Sequence, residues 1–452
     1  MRYIALDIGS SFVKGALLDL EQLEILEIRR APFPDELAGL PEGHFEVDPA
    51  RIVAEVQRLI ASLIDVAPDV RGILCCCQMG GVILADAQGN PLTSYLSWRD
   101  QRTVRPLDPQ SGPLLDRVQE RLGTEVLLDL GKELKPGSMF PLLVWLQERN
   151  RLPEGTPLAL GDFVAQQLCH ATAITEPTLA LGAINLRHHG WHVEAIRRLG
   201  LESLQWPALG DFRTPVGTFR HAGREIPWHP AVGDHQAALA GALLQTGELS
   251  INISTGSQLS RLTQEFLPGA YQTRPYFDGR YLNTITHIPA GRSLQVLIDL
   301  LTELPRLAGA PLADPWKLAV EAAERASDSE LSVELSFFAG PFGDRGRVQG
   351  ITTDNLTVGG LFRAAFINMA DNYRQCADRI APEGDWSRIV FSGGLAQKIE
   401  LLRSMLLKRL SGPARVAPFA EDALMGLMVL GMVVSGRATA VQTATKHISV
   451  RH

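Results

Sequence analysis

Residues able to do chemistry concentrate between Val232 and Leu259. Gly233-Asp234-His235-Gln236 sets one carboxylate in a Gly-preceded turn at the head of an apolar run, Ala237 to Leu244, that reads as a helix. Past Gly247, a short β-branched strand, Ile251-Asn252-Ile253, breaks into Ser254-Thr255-Gly256-Ser257. Small hydroxyl residues beside a glycine suit a phosphate-binding hairpin, because backbone N–H groups and hydroxyls can approach the oxygens closely. A carboxylate that could take a proton therefore lies one helix away from a cradle that could hold a phosphate.

The start of the chain repeats half of this arrangement. Tyr3-Ile4-Ala5-Leu6-Asp7-Ile8-Gly9-Ser10-Ser11 is a strand ending in a Gly/Ser turn, and Val13 to Asp19, carrying Lys14, reads as its return strand. Two such units, one in each half of the chain, suggest a duplicated fold with one unit per large domain. At 452 residues there is room for two or three domains of ~150 residues. A nucleotide held between the two hairpins is the expectation that follows.

Composition narrows the classes. Hydrophobic residues make up 45% and charged residues 21%, enough to bury a large core. A net charge of −7 with no basic stripe argues against nucleic acid as a partner. An anionic nucleotide would then be held by local devices: amides, Lys or Arg side chains, and Mg²⁺. No apolar run reaches the ~18 residues of a membrane span, and the N-terminus goes straight into a strand without a basic region, so a cytoplasmic location with no membrane partner is expected. Cys75-Cys76-Cys77 cannot converge on a metal, since neighbours on a strand point to opposite faces, and they read as buried, reduced thiols.

The elements that must position these groups read as alternating helices and strands. A helix from Asp48 to Ile64 precedes a buried strand, Gly72 to Cys77, with Gln78-Met79-Gly80-Gly81 at its carboxyl end, where ligands collect in open α/β sheets. Val82 to Asp86 is the next strand. Ser97-Trp98-Arg99-Asp100-Gln101-Arg102 is either a solvated helix start or what a polyol needs: a carboxylate, a guanidinium and an apolar face. Pro141 to Arg149 reads as an amphipathic helix, and Asp162 and Glu176 as acids capping elements around a helix from Val164 to Cys169. His188, His189 and His192 lie in a polar, exposed turn without metal-ligand partners. Gly340 to Gly346 is a loop, and Val358 to Ile380 a long helix. Strand Ile389-Val390-Phe391 runs into Ser392-Gly393-Gly394-Leu395-Ala396-Gln397 and a helix from Lys398 to Leu410, so a ring or phosphate could lie against backbone there. Glu421 to Gly426 opens the final helix, and Thr443 to His452 reads as a frayed tail. Gly131-Lys132 is followed by Glu133, so there is no Walker A loop.

In this order the motifs resemble the FGGY family of carbohydrate kinases, over nearly the whole chain. The resemblance implies an α/β fold of two duplicated ribonuclease-H-like (actin-like ATPase) domains with a cleft between them: 1–245 for sugar and catalysis, 246–442 for nucleotide, and 443–452 as a tail. It implies ATP and Mg²⁺, with Asp7 on the metal. Gly9, Ser10, Ser11, Lys14, Thr255, Gly256 and Ser257 would lie at the phosphates, and Gly393, Gly394 and Ala396 at adenosine, with Glu421 to Gly426 completing that pocket. Trp98-Arg99-Asp100-Gln101-Arg102 is similar to the family's Trp-x-Asp-x-Arg sugar motif, and Gly233-Asp234-His235-Gln236 to its Gly-Asp-x-Gln turn. Gln78, Met79, Trp98, Asp100 and Arg102 would then orient the sugar, with Asp234 as the base.

Within the family the chain looks most like sedoheptulokinases. That likeness rests on Asn252 to Thr255 with Gln258-Leu259, Arg274-Pro275-Tyr276-Phe277 with Arg280-Tyr281-Leu282, Phe342 to Arg345, and Gly190 to Glu194. Xylulokinases share Gln78-Met79 and the Trp motif. Two departures touch the sugar side: the usual Gln-Met-His-Gly is Gln78-Met79-Gly80-Gly81, and an acid followed by a small-polar/Asn-Ala run is Glu176-Pro177-Thr178-Leu179-Ala180. The implied reaction is phosphorylation of a terminal hydroxyl of a ketose, sedoheptulose first, with xylulose or another pentulose or polyol as the alternative. A partner-driving ATPase of the same fold and a non-catalytic sensor are the other classes. The expected partner is a small sugar, and a homodimer is compatible with it.

Overall fold

Strands β1 (Arg2–Ile8) and β2 (Phe12–Asp19) form an antiparallel hairpin that sets Asp7 across from Lys14. In the computed structural model, which describes residues 1–106 and 112–449, β3 (Glu24–Pro32) extends this hairpin on the β2 side. Helix α1 (Pro49–Val66) starts at an Asp48 cap whose side chain accepts from the Ala50 amide, and buries Ile52, Val56, Ile60 and Leu63. Strand β4 (Ile73–Cys77) lies parallel to β1 and is buried along its whole length, as a central strand covered on both faces must be. Helices α2 (Met139–Glu148) and α3 (Leu160–Cys169) follow. Next come β5 (Gly217–His221), β6 (Arg224–Trp228) and β7 (Val232–Gly233), the last paired with Cys76 and Cys77 of β4 and leading into α4 (Asp234–Gly241). The sheet order is β5-β6-β4-β1-β2-β3, with β7 beside β4.

The second half repeats the plan. Antiparallel β8 (Glu248–Ile253) and β9 (Ser257–Thr263) are extended by β10 (Gln272–Tyr276) and β11 (Arg280–Thr286). Helices α5 (Gly291–Leu307) and α6 (Val358–Ile380) lead to β12 (Arg388–Ser392), which lies parallel to β8 as β4 does to β1. Helices α7 (Gly394–Lys398) and α8 (Glu400–Arg409), strand β13 (Ala414–Val416), and helices α9 (Asp422–Val434) and α10 (Val441–Ser449) complete the chain. The order here is β10-β11-β9-β8-β12-β13. Two α/β sheets of like topology are the duplicated ribonuclease-H-like architecture that the repeated hairpins predict.

Helices α4 and α9 sit in one core with residues of both sheets: Tyr3, Ala5 and Leu74 from the first, Leu262, Leu282 and Val390 from the second. They touch through backbone. A Cβ on Gly426 would lie 1.9 Å from the Ala237 carbonyl oxygen, and one on Gly241 would lie 1.8 Å from the Asp422 carbonyl oxygen. Gly426 therefore serves this crossing.

Other expectations change in the folded chain. Helix α2 is buried on every side from Met139 to Leu146 and is not amphipathic, because a further core that includes Leu114, Val118 and Leu122 packs around it. Asp162 lies in the first turn of α3, where a backbone hydrogen bond from the N-cap residue Ala159 acts on its carboxylate, and it is buried and also accepts from the Thr175 hydroxyl at 2.6 Å. His192 is buried and caps the helix Val193–Leu199 by accepting from the Ala195 amide, so the turn is not simply exposed. The helix expected from Lys398 to Leu410 breaks at Ile399. The expected tail is largely helix α10, with Val441, Ala444 and Ile448 in the core and Thr445 accepting from Gln245 at 2.6 Å; residues 450–452 lie outside the described residues.

The helix crossing is directly testable. Gly426→Ala should lower stability by about 1–3 kcal/mol through overpacking, read as a fall in the denaturation midpoint. An unchanged midpoint would show that the two backbones are not in contact.

Candidate active site

The β7 register beside β4 carries the Gly233-Asp234 turn to the carboxyl end of β4, next to Gln78. Glycine is required at 233, since a Cβ there would lie 2.4 Å from Gln236 Oε1, 2.6 Å from Met79 Sδ and 2.8 Å from the Thr178 carbonyl oxygen. The Gly233 amide donates to Thr178 Oγ1 at 3.0 Å, and Thr178 in turn donates to the buried Glu176 carboxylate through its amide, at 2.7 Å, and its hydroxyl. The family's small-polar run is thus replaced by an acid-held threonine that grips the turn. Asp234 opens α4 with its carboxylate partly accessible and accepts from the His235 amide at 2.7 Å. Burial, reinforced by the nearby charge of Asp7, pushes Asp234 up to about 7, while the His235 amide and Arg274 oppose the shift.

Asp7 ends β1 and is 7% exposed. Burial raises its pKa against the opposing pull of Lys14 and the Cys76 thiol, whose Sγ lies 3.7 Å from Asp7 Oδ1. Lys14 Nζ is 3.6 Å from Asp7 and 3.0 Å from Glu421, and Arg30 also pairs with Glu421. Glu421 therefore ties the second half to β2 and β3. The Gly9 amide donates to Phe12 O at 3.1 Å, closing the turn and leaving Ser10 and Ser11 toward solvent. Among the described residues no three metal-ligating side chains converge. A single buried carboxylate beside a phosphate hairpin still fits Mg²⁺, which is commonly held by one or two carboxylates together with water and phosphate oxygens.

Gln78 connects this hairpin to the Trp98 loop. Its Nε2 donates to Gly9 O at 3.3 Å and its Oε1 accepts from Trp98 Nε1 at 2.9 Å. Gly80 stands at φ +81°, and a Cβ there would lie 3.0 Å from Trp98 Cβ, so the missing histidine would be strained in this backbone. Asp100 and Arg102 correct their expected role as sugar ligands. Both are buried, and Asp100 accepts from the amides of Phe45 and Arg102 and from the Arg102 guanidinium, while Arg102 also donates to Glu46 at 2.6 Å. With both Asp100 oxygens occupied and the Arg102 Nε and Nη2 engaged, they brace the loop that carries Trp98.

The second hairpin leaves Thr255 and Gly256 exposed, but Ser257 is buried and donates to Asn252 O at 2.6 Å, beside the Tyr373 hydroxyl. Ser257 is thus turned away from any phosphate. Asn252 donates to Ser392 Oγ at 2.9 Å, joining the hairpin to the end of β12. Gly393, at φ +84°, passes so close to β8 that a Cβ would lie 2.5 Å from Ile253 O. Ala396, expected at adenosine, is fully buried in the core instead. Gly394 faces open space and, with Ser254 and Thr255, lines a cavity of about 550 Å³. Its other walls include Arg292, Gln295, Trp316, Phe338 and Lys398, with Gln295 Oε1 accepting from Trp316 Nε1 at 2.9 Å and the Arg292 guanidinium over the Phe338 ring. Sequence reasoning missed these five. Of these, Lys398 directly follows the Ser392 to Gln397 motif that the sequence singles out, whereas Arg292 and Gln295 lie in the first turns of α5.

Comparison with known proteins agrees with this geometry. A sedoheptulokinase of Mus musculus is 22% identical over 480 residues, spanning 94% of this chain and 96% of its own length. A xylulose kinase of Bacillus subtilis is 30% identical over 230 residues, 48% of this chain and 43% of that one. The structure of a ligand-bound xylulose kinase from Lactobacillus acidophilus superposes with a TM-score of 0.85 at 16% identity, covering 98% of this chain and 91% of that chain. The N-terminal domain profile of the FGGY carbohydrate kinases matches residues 2–241, more than half of the sequence, and the chain belongs to the FGGY family of carbohydrate kinases, which transfer phosphate to an alcohol group.

Proposed function

We propose that this kinase transfers the γ-phosphoryl group of ATP to a terminal hydroxyl of a linear ketose, with sedoheptulose the favoured acceptor and xylulose the second choice. The observation that carries the reading is the half-buried Asp234 at the head of α4, set by the β7 register beside Gln78 at the carboxyl end of β4, with its pKa raised to about 7 by burial and then by Asp7. Sedoheptulose is favoured by an alignment that runs almost end to end. The higher identity to a xylulose kinase over about half the chain keeps the shorter ketose as runner-up.

In this reading residues 1–245 hold the sugar and the base, and residues 246–442 hold the nucleotide. Asp234 accepts the proton of the attacking hydroxyl as its oxygen closes in line on the γ-phosphorus. A loose transition state makes that transfer late, so much of the contribution of Asp234 is aim. Gln78, Met79 and Trp98 orient the sugar, and Asp100 with Arg102 holds Trp98 in place. Gly9, Ser10, Ser11, Thr255 and Gly256 offer amides and hydroxyls to phosphate oxygens, and Lys14 offers its ammonium. Asp7 would hold Mg²⁺, which neutralises charge between the β- and γ-phosphates. Gly394, with Trp316 and Gln295 on the cavity wall, takes the adenosine. Closure of the gap over bound sugar excludes water, the competing nucleophile.

ADP release measured with ketoses and polyols of four to seven carbons tests the substrate class. Sedoheptulose should give the highest kcat/KM, and a panel without turnover would defeat the reading. Asp234→Ala should lower kcat by about 10²–10⁴-fold with ATP binding little changed; near-full activity would remove Asp234 as the base.

The pH dependence follows from the same group. Its folded pKa, about 7, lies above the ordinary aspartate value of 3.8, so between those values the folded chain binds more protons than the unfolded one and Asp234 costs stability as pH rises. Asp234→Asn should therefore raise the melting temperature at pH 8 and have little effect near pH 4. Equal shifts at both values would contradict the raised pKa.

A further inference from the structure

A buried polar chain reaches the base from the opposite half of the molecule. Arg274 on β10 is 7% exposed, and its Nε donates to Oε1 of the buried Glu133 at 2.5 Å. Its Nη1 meets His235 Nδ1 at 2.8 Å. A guanidinium only donates, so Nδ1 is the acceptor and the imidazole proton is on Nε2, facing Ser260 Oγ at 3.4 Å. Burial, with Arg274 adding to it, keeps His235 far below its ordinary pKa, so the ring stays neutral.

The contact is built into the backbone as well. The Thr273 amide donates to Gly131 O at 2.9 Å, and a Cβ on Gly131 would fall 1.8 Å from Thr273 O, so the loop bearing Glu133 is pressed onto β10. One residue beyond Arg274, the Pro275 carbonyl accepts from Gln236 Nε2 at 3.1 Å. Strand β10 thus grips both residues that follow Asp234, while Thr178 grips the one before it. A buried ion pair stabilises a fold weakly, because desolvation offsets most of its attraction. Its position next to the base therefore points to a part in the reaction.

We propose that Arg274, docked by Glu133, is a positioning residue for phosphoryl transfer: it fixes His235 in one tautomer and so aims the Asp234 carboxylate, making the base geometry depend on β10 of the second half seating against the first. This rests on Asp234 as the base. The charged or titratable groups acting on or near Asp234 are Asp7 on β1, Cys76 and Cys77 on β4, Tyr95, His235 and Arg274.

Two sets of variants test it. Glu133→Gln with Arg274→Gln removes both charges and leaves neither buried alone. His235→Asn keeps an acceptor for Arg274, whereas His235→Phe does not. The double variant and His235→Phe should lose about ten- to hundredfold in kcat through misaim, with KM for ATP little changed, and His235→Asn should recover most of that loss. The acid limb of kcat/KM should move to higher pH in the double variant, since Arg274 no longer opposes protonation of Asp234. Carboxyl ¹³C titration of Asp234, its signal assigned by its loss in Asp234→Asn, should show the same upward shift. Normal kcat and an unshifted titration in the double variant, or equal activity of His235→Asn and His235→Phe, would overturn the proposal. Thermal melts confirm folding, and should the double variant not fold, the two His235 variants decide. An active Asp234→Ala enzyme would remove the base assignment alone, because the titration reads the Arg274–Asp234 coupling independently of turnover.

Discussion

Two helices crossing at backbone contact set the rest of the structure. Helix α4 begins at Asp234, and α9 begins next to Glu421, which holds Lys14 and Arg30 of the first hairpin sheet. Because Gly241 and Gly426 lack a Cβ, the two axes come closer than side chains would permit. Asp234 and the ion cluster around Asp7 are therefore fixed from one crossing. Both sheets pack on the same pair, so a shift of either helix would be felt at both hairpins.

Around that crossing, burial does the electrostatic work. Burial raises both Asp7 and Asp234 above the ordinary carboxylate range, with Glu421 adding to the first and Asp7 to the second, and burial likewise raises Asp422 to about 7. Lys14 is the cation beside Asp7, and its second partner, Glu421, comes from the far end of the chain. Polar groups farther out act as braces. The Asp100–Arg102 pair, with Glu46 and the Phe45 amide, immobilises the loop under Trp98, and the Arg102 guanidinium also lies over the Trp145 ring. Charges that look available to a polyol in the sequence are thus consumed in shaping the wall a polyol would meet.

The two departures from the family pattern have physical accounts in this backbone. Gly80 adopts a positive φ against Trp98, so a side chain there would be strained, and the indole and Gln78 meet beside it. At the other departure the acid is retained as Glu176, and Thr178 passes its hold to the Gly233 amide. The first bears on the loop of Trp98 and the second on the turn before Asp234.

The sequence by itself determined the repeated hairpins, the buried central strand, the long helix from Val358 to Ile380, and the order of motifs around Asp7, Asp234 and Gly393. These are local: short apolar runs, a Gly-preceded acid and Gly/Ser turns carry their meaning within a few residues. Only the tertiary structure decided which polar side chains face the gap and which are spent inside. It turned Ser257 and Ala396 into the core, paired Asp100 with Arg102, set Glu421 against Lys14, and made a helix of the supposed tail. It also joined Glu133 to Arg274 and His235, residues far apart along the chain. The reason is that a side chain's role depends on which partners reach its donors and acceptors, and those partners arrive from elements that no local pattern can bring together.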